Sequence, residues 1–146
     1  MSKSASQLFQ AEERQLIVEA IQRAEGHTTG EVRVFIEDRC SGDVLERAKR
    51  LFFELDMHKT ANSNGTLVYL AVKDHKFAVL GDRGIDNVVP PGFWDTTRDV
   101  MRDQFSQGNF LTGLVVAIDS IGLKLQEFFP KTDDDVNELP DEVIIR

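Results

Sequence analysis

The sequence predicts one α/β domain, an α/β/α sandwich in which a mixed β-sheet carries helices on both faces. Three observations predict this fold. The elements follow the order helix, strand, helix, strand, strand, helix, helix, an order typical of a sheet covered by helices. The first strand–helix–strand unit requires two parallel strands with a right-handed crossover. The 146 residues, 41% of them hydrophobic and 29% charged, suit a single globular core.

Two helices and one strand are predicted in the first third of the chain. Apolar residues recur at helical spacing within residues 6–25, and Gly26 ends this helix. Apolar and polar residues alternate over Glu31–Glu37, which predicts a strand. Asp43 and Glu46 form a capping box that begins a second helix with one apolar face.

A β-hairpin is predicted at the centre of the chain. Residues Thr66–Val72 are apolar or β-branched throughout, as in a strand covered on both faces. A polar turn follows, and Phe77–Leu80 returns antiparallel to the first strand. The hairpin therefore brings Gly81–Asp86 back beside Asn62–Gly65, so two loops meet at one edge of the sheet.

Two further helices complete the predicted domain. Pro90 and Pro91 precede a helix over Phe93–Phe105, and a longer apolar helix runs on to Pro130. The remaining residues are acidic and aperiodic, with a short extended piece expected at Val143–Ile145.

Charge and composition limit the function classes. Residues 127–146 hold seven acidic and two basic side chains, so they carry −5 of the net charge of −8. We therefore divide the chain into an α/β domain, residues 1–130, and an acidic tail, residues 131–146. The scattered Lys and Arg residues give no basic stripe, which argues against nucleic acid as a partner. Lone Cys40, the polar N-terminus and the absence of a long uncharged helix predict a cytoplasmic chain with no transmembrane segment.

The predicted topology brings carboxylates together where the first two strands begin and the third ends. Glu31, Asp82 and Asp86 are therefore candidate ligands for Ca²⁺ or Mg²⁺, which prefer carboxylate and carbonyl oxygens. The alternative is a simple glycine-containing turn that Asp82 caps. Further candidate binding residues at this end are Lys59, Thr60, Asn64, Arg83 and Trp94. Lys59 or Arg83 would meet a phosphate or carboxylate, and Trp94 is expected to be a packing anchor at the mouth of the site.

Several short motifs, taken in order, resemble the TPM-domain family over about residue 10 to Pro130. They are Thr29-Gly30-Glu31-Val32-Arg33-Val34, Met57-His58-Lys59-Thr60, Asn64-Gly65, Gly81-Asp82-Arg83-Gly84-Ile85, Phe93-Trp94 and Gly108-Asn109-Phe110. The resemblance implies an α/β/α sandwich whose Gly81–Ile85 loop and Thr29–Glu31 entry line a shared cleft. Ser63 stands where the family pattern has arginine, which removes one cation that would bind phosphate.

The resemblance leaves three hypotheses open. Some family members are reported to bind divalent cations, which favours a small domain holding Ca²⁺ or Mg²⁺. An acid phosphatase activity attributed to a chloroplast branch suggests a metal-dependent phosphatase acting on a phosphorylated small molecule, with His27 or His58 as acid or base. Other members are accessory factors for membrane complexes, which suggests a module that binds a protein partner. Many members carry a signal peptide and a membrane anchor, and neither is recognised in this sequence.

Overall fold

In a computed structural model, which describes residues 3–132 and 137–146, the chain forms a four-stranded sheet with helices on both faces. The helices are α1 (Ala5–Leu8), α2 (Ala11–Glu25), α3 (Val44–Glu54), α4 (Arg83–Asp86), α5 (Asp95–Ser106) and α6 (Phe110–Phe128), and a short 3₁₀ helix covers Met57–Lys59. The strands are β1 (Glu31–Glu37), β2 (Gly65–Ala71), β3 (Lys76–Gly81) and β4 (Ile144–Ile145). The predicted mixed α/β sandwich is confirmed.

The strand order in the sheet is β3-β2-β1-β4. β1 pairs parallel with β2, so that Glu31 lies opposite Gly65, and β2 pairs antiparallel with β3, so that Thr66 lies opposite Gly81. The predicted strand directions are therefore confirmed. The starts of β1 and β2 and the end of β3 lie side by side at one end of the sheet, which we call the site end.

The core has two parts, one on each face of the sheet. Alternate side chains of β1 and β2 pack with α2, α5 and α6 on one face, and the others pack with α3 on the opposite face. On the α3 face Phe35 stacks with Tyr69, with their ring centroids 6.2 Å apart. This alternation follows from the twofold periodicity of strands, and all seven residues of β2 are buried, as the sequence predicted for a strand covered on both faces.

The predicted first helix, within residues 6–25, is two helices in the structure. Phe9 is 1% exposed and belongs to the core, so the chain leaves α1 to bury this ring. Gln10 then begins α2 with a capping box in which the Glu13 carboxylate accepts a hydrogen bond from the Gln10 amide at 3.0 Å. Periodicity alone indicated helix on both sides of this break.

Residues 137–146, which belong to the predicted acidic tail, pack against the sheet, and residues 133–136 of that tail lie outside the described residues. β4 pairs parallel with the outer edge of β1 through Ile144 and Ile145. Leu139 is 8% exposed and packs in the α3-side core. We call residues 137–146 the C-terminal strap.

In the part of the chain that the structure describes, no helix is both long enough and apolar enough to cross a bilayer. The predicted absence of a transmembrane segment agrees with this finding, whereas the cytoplasmic location stays a prediction.

We predict that Gly122→Ala destabilises the fold through the contact between α2 and α6. A Cβ at position 122 would lie 2.6 Å from the Ala24 Cα, which is backbone and cannot turn away. We expect the free energy of unfolding to fall by about 1–3 kcal/mol, the usual cost of overpacking, as measured by chemical denaturation. Leu123→Ala at an adjacent site that is 60% exposed should change stability by less than about 1 kcal/mol. Equal stability of Gly122→Ala and wild type would contradict this packing.

We also predict that Glu25 makes the fold less stable at high pH. Burial raises the pKa of Glu25 from 4.5 to about 9, and a hydrogen bond with Asp141 of the strap adds to the shift. The folded state therefore keeps a proton that the unfolded chain loses, so stability should fall as pH rises from about 5 to 9. Glu25→Gln keeps the donor to Asp141 and cannot ionise, so it should reduce this dependence.

Chemical denaturation at pH 5, 7 and 9 tests the prediction. Relative to Glu25→Gln, wild type should lose at least about 1 kcal/mol over this range, which corresponds to a pKa shift of about one unit. Glu19→Gln, at an exposed position of the same helix, is the control and should keep the wild-type pH dependence. Parallel pH profiles for wild type and Glu25→Gln would show that Glu25 is not held protonated.

Candidate functional site

The register of the sheet brings three loops together at the site end. The β1 start lies beside the β2 start, because the Glu31 amide donates to the Asn64 carbonyl at 3.3 Å. The β3 end lies on the other side of the β2 start, because the Asp82 amide donates to the Gly65 carbonyl at 2.9 Å. Glu31 and Asp82 thus flank one strand, and their backbones are roughly 10 Å apart at the usual strand spacing.

Residues 82–86, which we call the acidic turn, form one helical turn. Asp82 caps it: its Oδ1 accepts from the Arg83 amide at 2.7 Å, and its backbone carbonyl accepts from Ile85 and Asp86 at 3.0 and 3.1 Å. Asp82 Oδ1 thus acts as the cap that the alternative interpretation of this residue expected. The other carboxylate oxygen has a different environment.

Asp82 Oδ2 is buried and has no hydrogen-bond partner among the described residues. A buried carboxylate oxygen without a donor destabilises the fold, because it has lost its hydrogen bonds to water and forms none with the protein. The negative charge of Asp82 also acts on Asp86, which lies one helical turn later in the chain. Desolvation raises the pKa of the Asp86 carboxyl, the charge of Asp82 raises it further, and Arg98 acts in the opposite direction. The acidic turn therefore holds two carboxylates whose mutual repulsion is only partly balanced.

Backbone carbonyls approach the acidic turn at Gly84. A Cβ at this position would overlap the carbonyl oxygens of Asn62 and Ser63, so only glycine lets the loop before β2 come this close. We call residues 60–64 the entry loop. The entry loop and the acidic turn are thus in backbone contact, and two carbonyl oxygens lie beside the carboxylate-bearing turn.

Two clefts lie on either side of the acidic turn. The larger, about 340 Å³, is lined by Asp86, Val89, Pro90, Pro91, Gly92, Phe93, Trp94, Asp95 and Arg98. The smaller, about 140 Å³, is lined by Lys49, Phe52, Phe53, Leu80, Gly81, Asp82 and Arg83. Among the described residues that line these two clefts, none belongs to the Thr29–Glu31 entry. The cleft that the resemblance implied between Thr29–Glu31 and Gly81–Ile85 is therefore not one of these two.

Glu31 has protein partners. It is 3% exposed, and its Oε1 accepts from the amides of Glu138 and Leu139 at 2.5 and 2.6 Å. Two backbone donors stabilise a buried carboxylate in its charged form. Glu31 therefore anchors the C-terminal strap, and its role as a cation ligand stays a prediction.

Three of the predicted binding residues lie around the entry loop. Lys59 Nζ is 3.2 Å from an Asp56 carboxylate oxygen on the surface. Thr60 is 6% exposed, and its hydroxyl has no hydrogen-bond partner within the described residues. Asn64 is 2% exposed and donates from Nδ2 to the Thr29 hydroxyl at 3.3 Å. It therefore links the entry loop to the segment that leads into β1.

The other two predicted binding residues line different clefts. Arg83 is exposed and lines the smaller one. Trp94 lines the larger one but is only 6% exposed, and its ring packs edge-to-face on Phe93 with centroids 4.6 Å apart. The packing role predicted for Trp94 thus agrees with its burial.

Two residues of the larger cleft and one of the strap were not among the predicted site residues. Asp95 and Arg98 lie in the first turn of α5, and Arg98 also donates to the Val79 carbonyl at 3.2 Å. Their spacing of three residues at the start of a predicted helix was the available signal. Glu138 follows a run of acids and carried no such signal.

The acidic turn offers two carboxylates and nearby carbonyls rather than a dense cluster. Within residues 3–132 and 137–146, no group of three or more His, Cys, Asp or Glu side chains is arranged to hold a metal ion. Among the described residues that line the two clefts there is no histidine, so neither histidine considered for acid–base chemistry is part of that lining. His27 is exposed in the loop after α2, and the His58 ring packs on Phe53 with centroids 4.8 Å apart.

Comparisons with known proteins identify the family. Residues 3–124 match a family model described as the TPM domain. The NMR structure of the BA42 protein from the psychrophilic bacterium Bizionia argentinensis is similar over 100% of both chains, with 44% identity and a TM-score of 0.92. A comparison with curated proteins finds no match.

A more distant structure shows how far the fold extends. The N-terminal domain of the cg2496 protein from Corynebacterium glutamicum is 11% identical and has a TM-score of 0.68, over 92% of this chain and 84% of that one. At this identity the likeness concerns the fold alone. The family match covers most of the chain, including the whole site end, and ends before the strap. The chain therefore belongs to the TPM-domain family.

Proposed function

We propose that this chain binds a hard divalent cation, Ca²⁺ or Mg²⁺, at the acidic turn, with Asp82 and Asp86 as its carboxylate ligands. The observation that carries the proposal is the buried Asp82 Oδ2, which has no donor among the described residues. A cation would supply the missing partner. It would also offset the charge of Asp82, which adds to the effect of desolvation in raising the pKa of Asp86.

The chemistry of the neighbouring groups supports the same proposal. Ca²⁺ and Mg²⁺ take carboxylate oxygens, backbone carbonyls and water. The carbonyls of Asn62 and Ser63 lie against Gly84, in the middle of the turn. Membership in the TPM-domain family adds support, since some members are reported to bind divalent cations. Such a site would bind a divalent cation and order the acidic turn and the entry loop, and this role requires no catalysed reaction.

We predict that Asp82→Asn weakens cation binding. Asparagine keeps the size of the side chain and its capping oxygen but removes the charge, so we expect the Kd for Ca²⁺ to rise about tenfold or more, a loss of about 1.4 kcal/mol. Wild type should bind with a Kd of about 10⁻⁴–10⁻³ M, as expected for few charged ligands. Titration followed by backbone amide shifts measures both values and should move the amides of residues 81–86 most.

Asp103→Asn is the matched control, because Asp103 is exposed on α5 and outside both clefts. It should bind Ca²⁺ like wild type. Shifts centred on another region, or an equal Kd for Asp82→Asn and wild type, would contradict the proposed site. Mg²⁺ in the same titration separates a general divalent site from one that favours Ca²⁺.

We further predict that protons compete with the cation at Asp86. The carboxyl has a raised pKa in the folded protein, so it stays protonated at a higher pH than an ordinary aspartate, and the cation must displace that proton. Affinity should therefore fall as pH is lowered from 7 towards 5. Asp86→Asn should bind more weakly at pH 7 and show a flatter pH profile, measured by calorimetry. Equally steep profiles for wild type and Asp86→Asn would exclude Asp86 as a ligand.

The phosphatase activity, the phosphorylated substrate and the protein partner stay predictions from the resemblance. No contact described here favours one of them over cation binding.

A further inference from the structure

The C-terminal strap is fastened along β1, from the site end to the opposite end of the strand. Glu31 receives the amides of Glu138 and Leu139, and at the far end the Arg146 amide donates to the Ile36 carbonyl at 2.9 Å. Between them, Leu139 fills a place in the α3-side core. The strap thus has a defined position on the β1 edge, set by a buried charge at one end and by strand pairing at the other.

Glu138 extends from this anchored strap to the entry loop. Its two carboxylate oxygens lie 3.2 and 3.1 Å from the Ala61 amide nitrogen, so this amide donates to the carboxylate as a whole. Hydrogen bonds to a charged acceptor are stronger than neutral ones. The Glu138 side chain is exposed, but its backbone is held, because its amide donates to Glu31 and the next residue, Leu139, is buried.

The entry loop carries this support on to the acidic turn. Ala61 directly precedes Asn62 and Ser63, whose carbonyl oxygens lie against Gly84. Ser63 has a φ of +48°, in the left-handed region that non-glycine residues adopt at a cost. The entry loop therefore holds a strained conformation next to the turn, and contacts such as the one from Glu138 must maintain it.

We propose that Glu138 is a positioning residue for the cation site: by holding Ala61, the C-terminal strap sets where the entry-loop carbonyls face the acidic turn. The proposal rests on the proposed function for its binding readout, but the coupling between strap and turn exists without the cation. Coupling between two sites is reciprocal, so a cation at the turn should also tighten the strap on β1.

The first experiment measures the turn without any cation. Amide hydrogen exchange of Asp82, Ile85 and Asp86, whose bonds to the Gly65 and Asp82 carbonyls define the turn, is compared in wild type and Glu138→Ala. We expect exchange in Glu138→Ala to be about fivefold faster or more, the lower end of typical couplings. Glu138→Gln keeps an acceptor for Ala61 and should lie between the two. Unchanged exchange in Glu138→Ala would overturn the proposal.

The second experiment measures Ca²⁺ affinity by calorimetry at 0.15 M salt, where exposed charges further apart than about 8 Å are largely screened. Glu138→Ala should raise the Kd about fivefold or more, and Glu138→Gln should restore part of the affinity. Glu127→Gln removes one exposed negative charge from α6 and should leave the Kd unchanged. If Glu127→Gln weakens binding as much as Glu138→Ala does, net charge explains the effect and the positioning role is wrong.

Reciprocity gives a third readout. Saturating Ca²⁺ should slow exchange of the Arg146 amide in wild type and leave it unchanged in Glu138→Ala; equal slowing in both would overturn the proposal. The failure modes are distinct. A wild type that binds no Ca²⁺ removes the proposed function while the cation-free exchange still tests the coupling. Ca²⁺ bound equally by wild type and Glu138→Ala removes the coupling alone. A thermal melt of Glu138→Ala close to that of wild type confirms that the comparison concerns folded protein.

Discussion

The parallel alignment of β1 with β2 determines where the candidate groups of this protein lie. Glu31 opposite Gly65, with β3 antiparallel on the far side, places the ends of three segments in one row. A shift of one residue would turn every side chain of a strand to the other face, and would exchange the two halves of the core. Each face of β2 packs with its own set of helices, so the fit of its side chains in the two halves of the core fixes the register, and the register fixes the site end.

The site end is held by close backbone approach as much as by side chains. Gly84 lets the entry loop touch the acidic turn, and the C-terminal strap reaches the same loop through Glu138. The acidic turn, the entry loop and the strap are therefore connected through a small set of contacts, although the strap is far from the other two in sequence. In the proposed coupling, a ligand bound at the acidic turn would affect the entry loop and the strap through the Gly84 carbonyl contacts and the Glu138–Ala61 hydrogen bond.

The strands and the longer helices were predictable, since they depend on local periodicity and on the handedness of one crossover. β1 was predicted at its observed bounds, Glu31–Glu37, and the meeting of the three loops followed from strand direction. The short extended piece expected at Val143–Ile145 is present as β4, Ile144–Ile145. Its pairing with β1 was not predictable, because two residues give no periodicity, and Glu31, which binds the strap at Glu138 and Leu139, was suggested as a cation ligand. Likewise, the three-residue spacing of Asp95 and Arg98 places both on one side of a predicted helix but does not say that this side lines a cleft with Asp86.

Three carboxylates near the site end show three ways of placing acid inside a protein. Glu31 is stabilised as a charge by two backbone amides. Glu25 is stabilised as a neutral acid, because its burial and its carboxyl neighbours raise its pKa to about 9. Asp82 uses one oxygen as a helix cap and leaves the other buried without a donor. Desolvation raises the pKa of Asp86, and the charge of Asp82 raises it further. Of these three carboxylates, Asp82 is the one that a bound cation would supply with a missing partner. The proposed cation site therefore lies at the acidic turn.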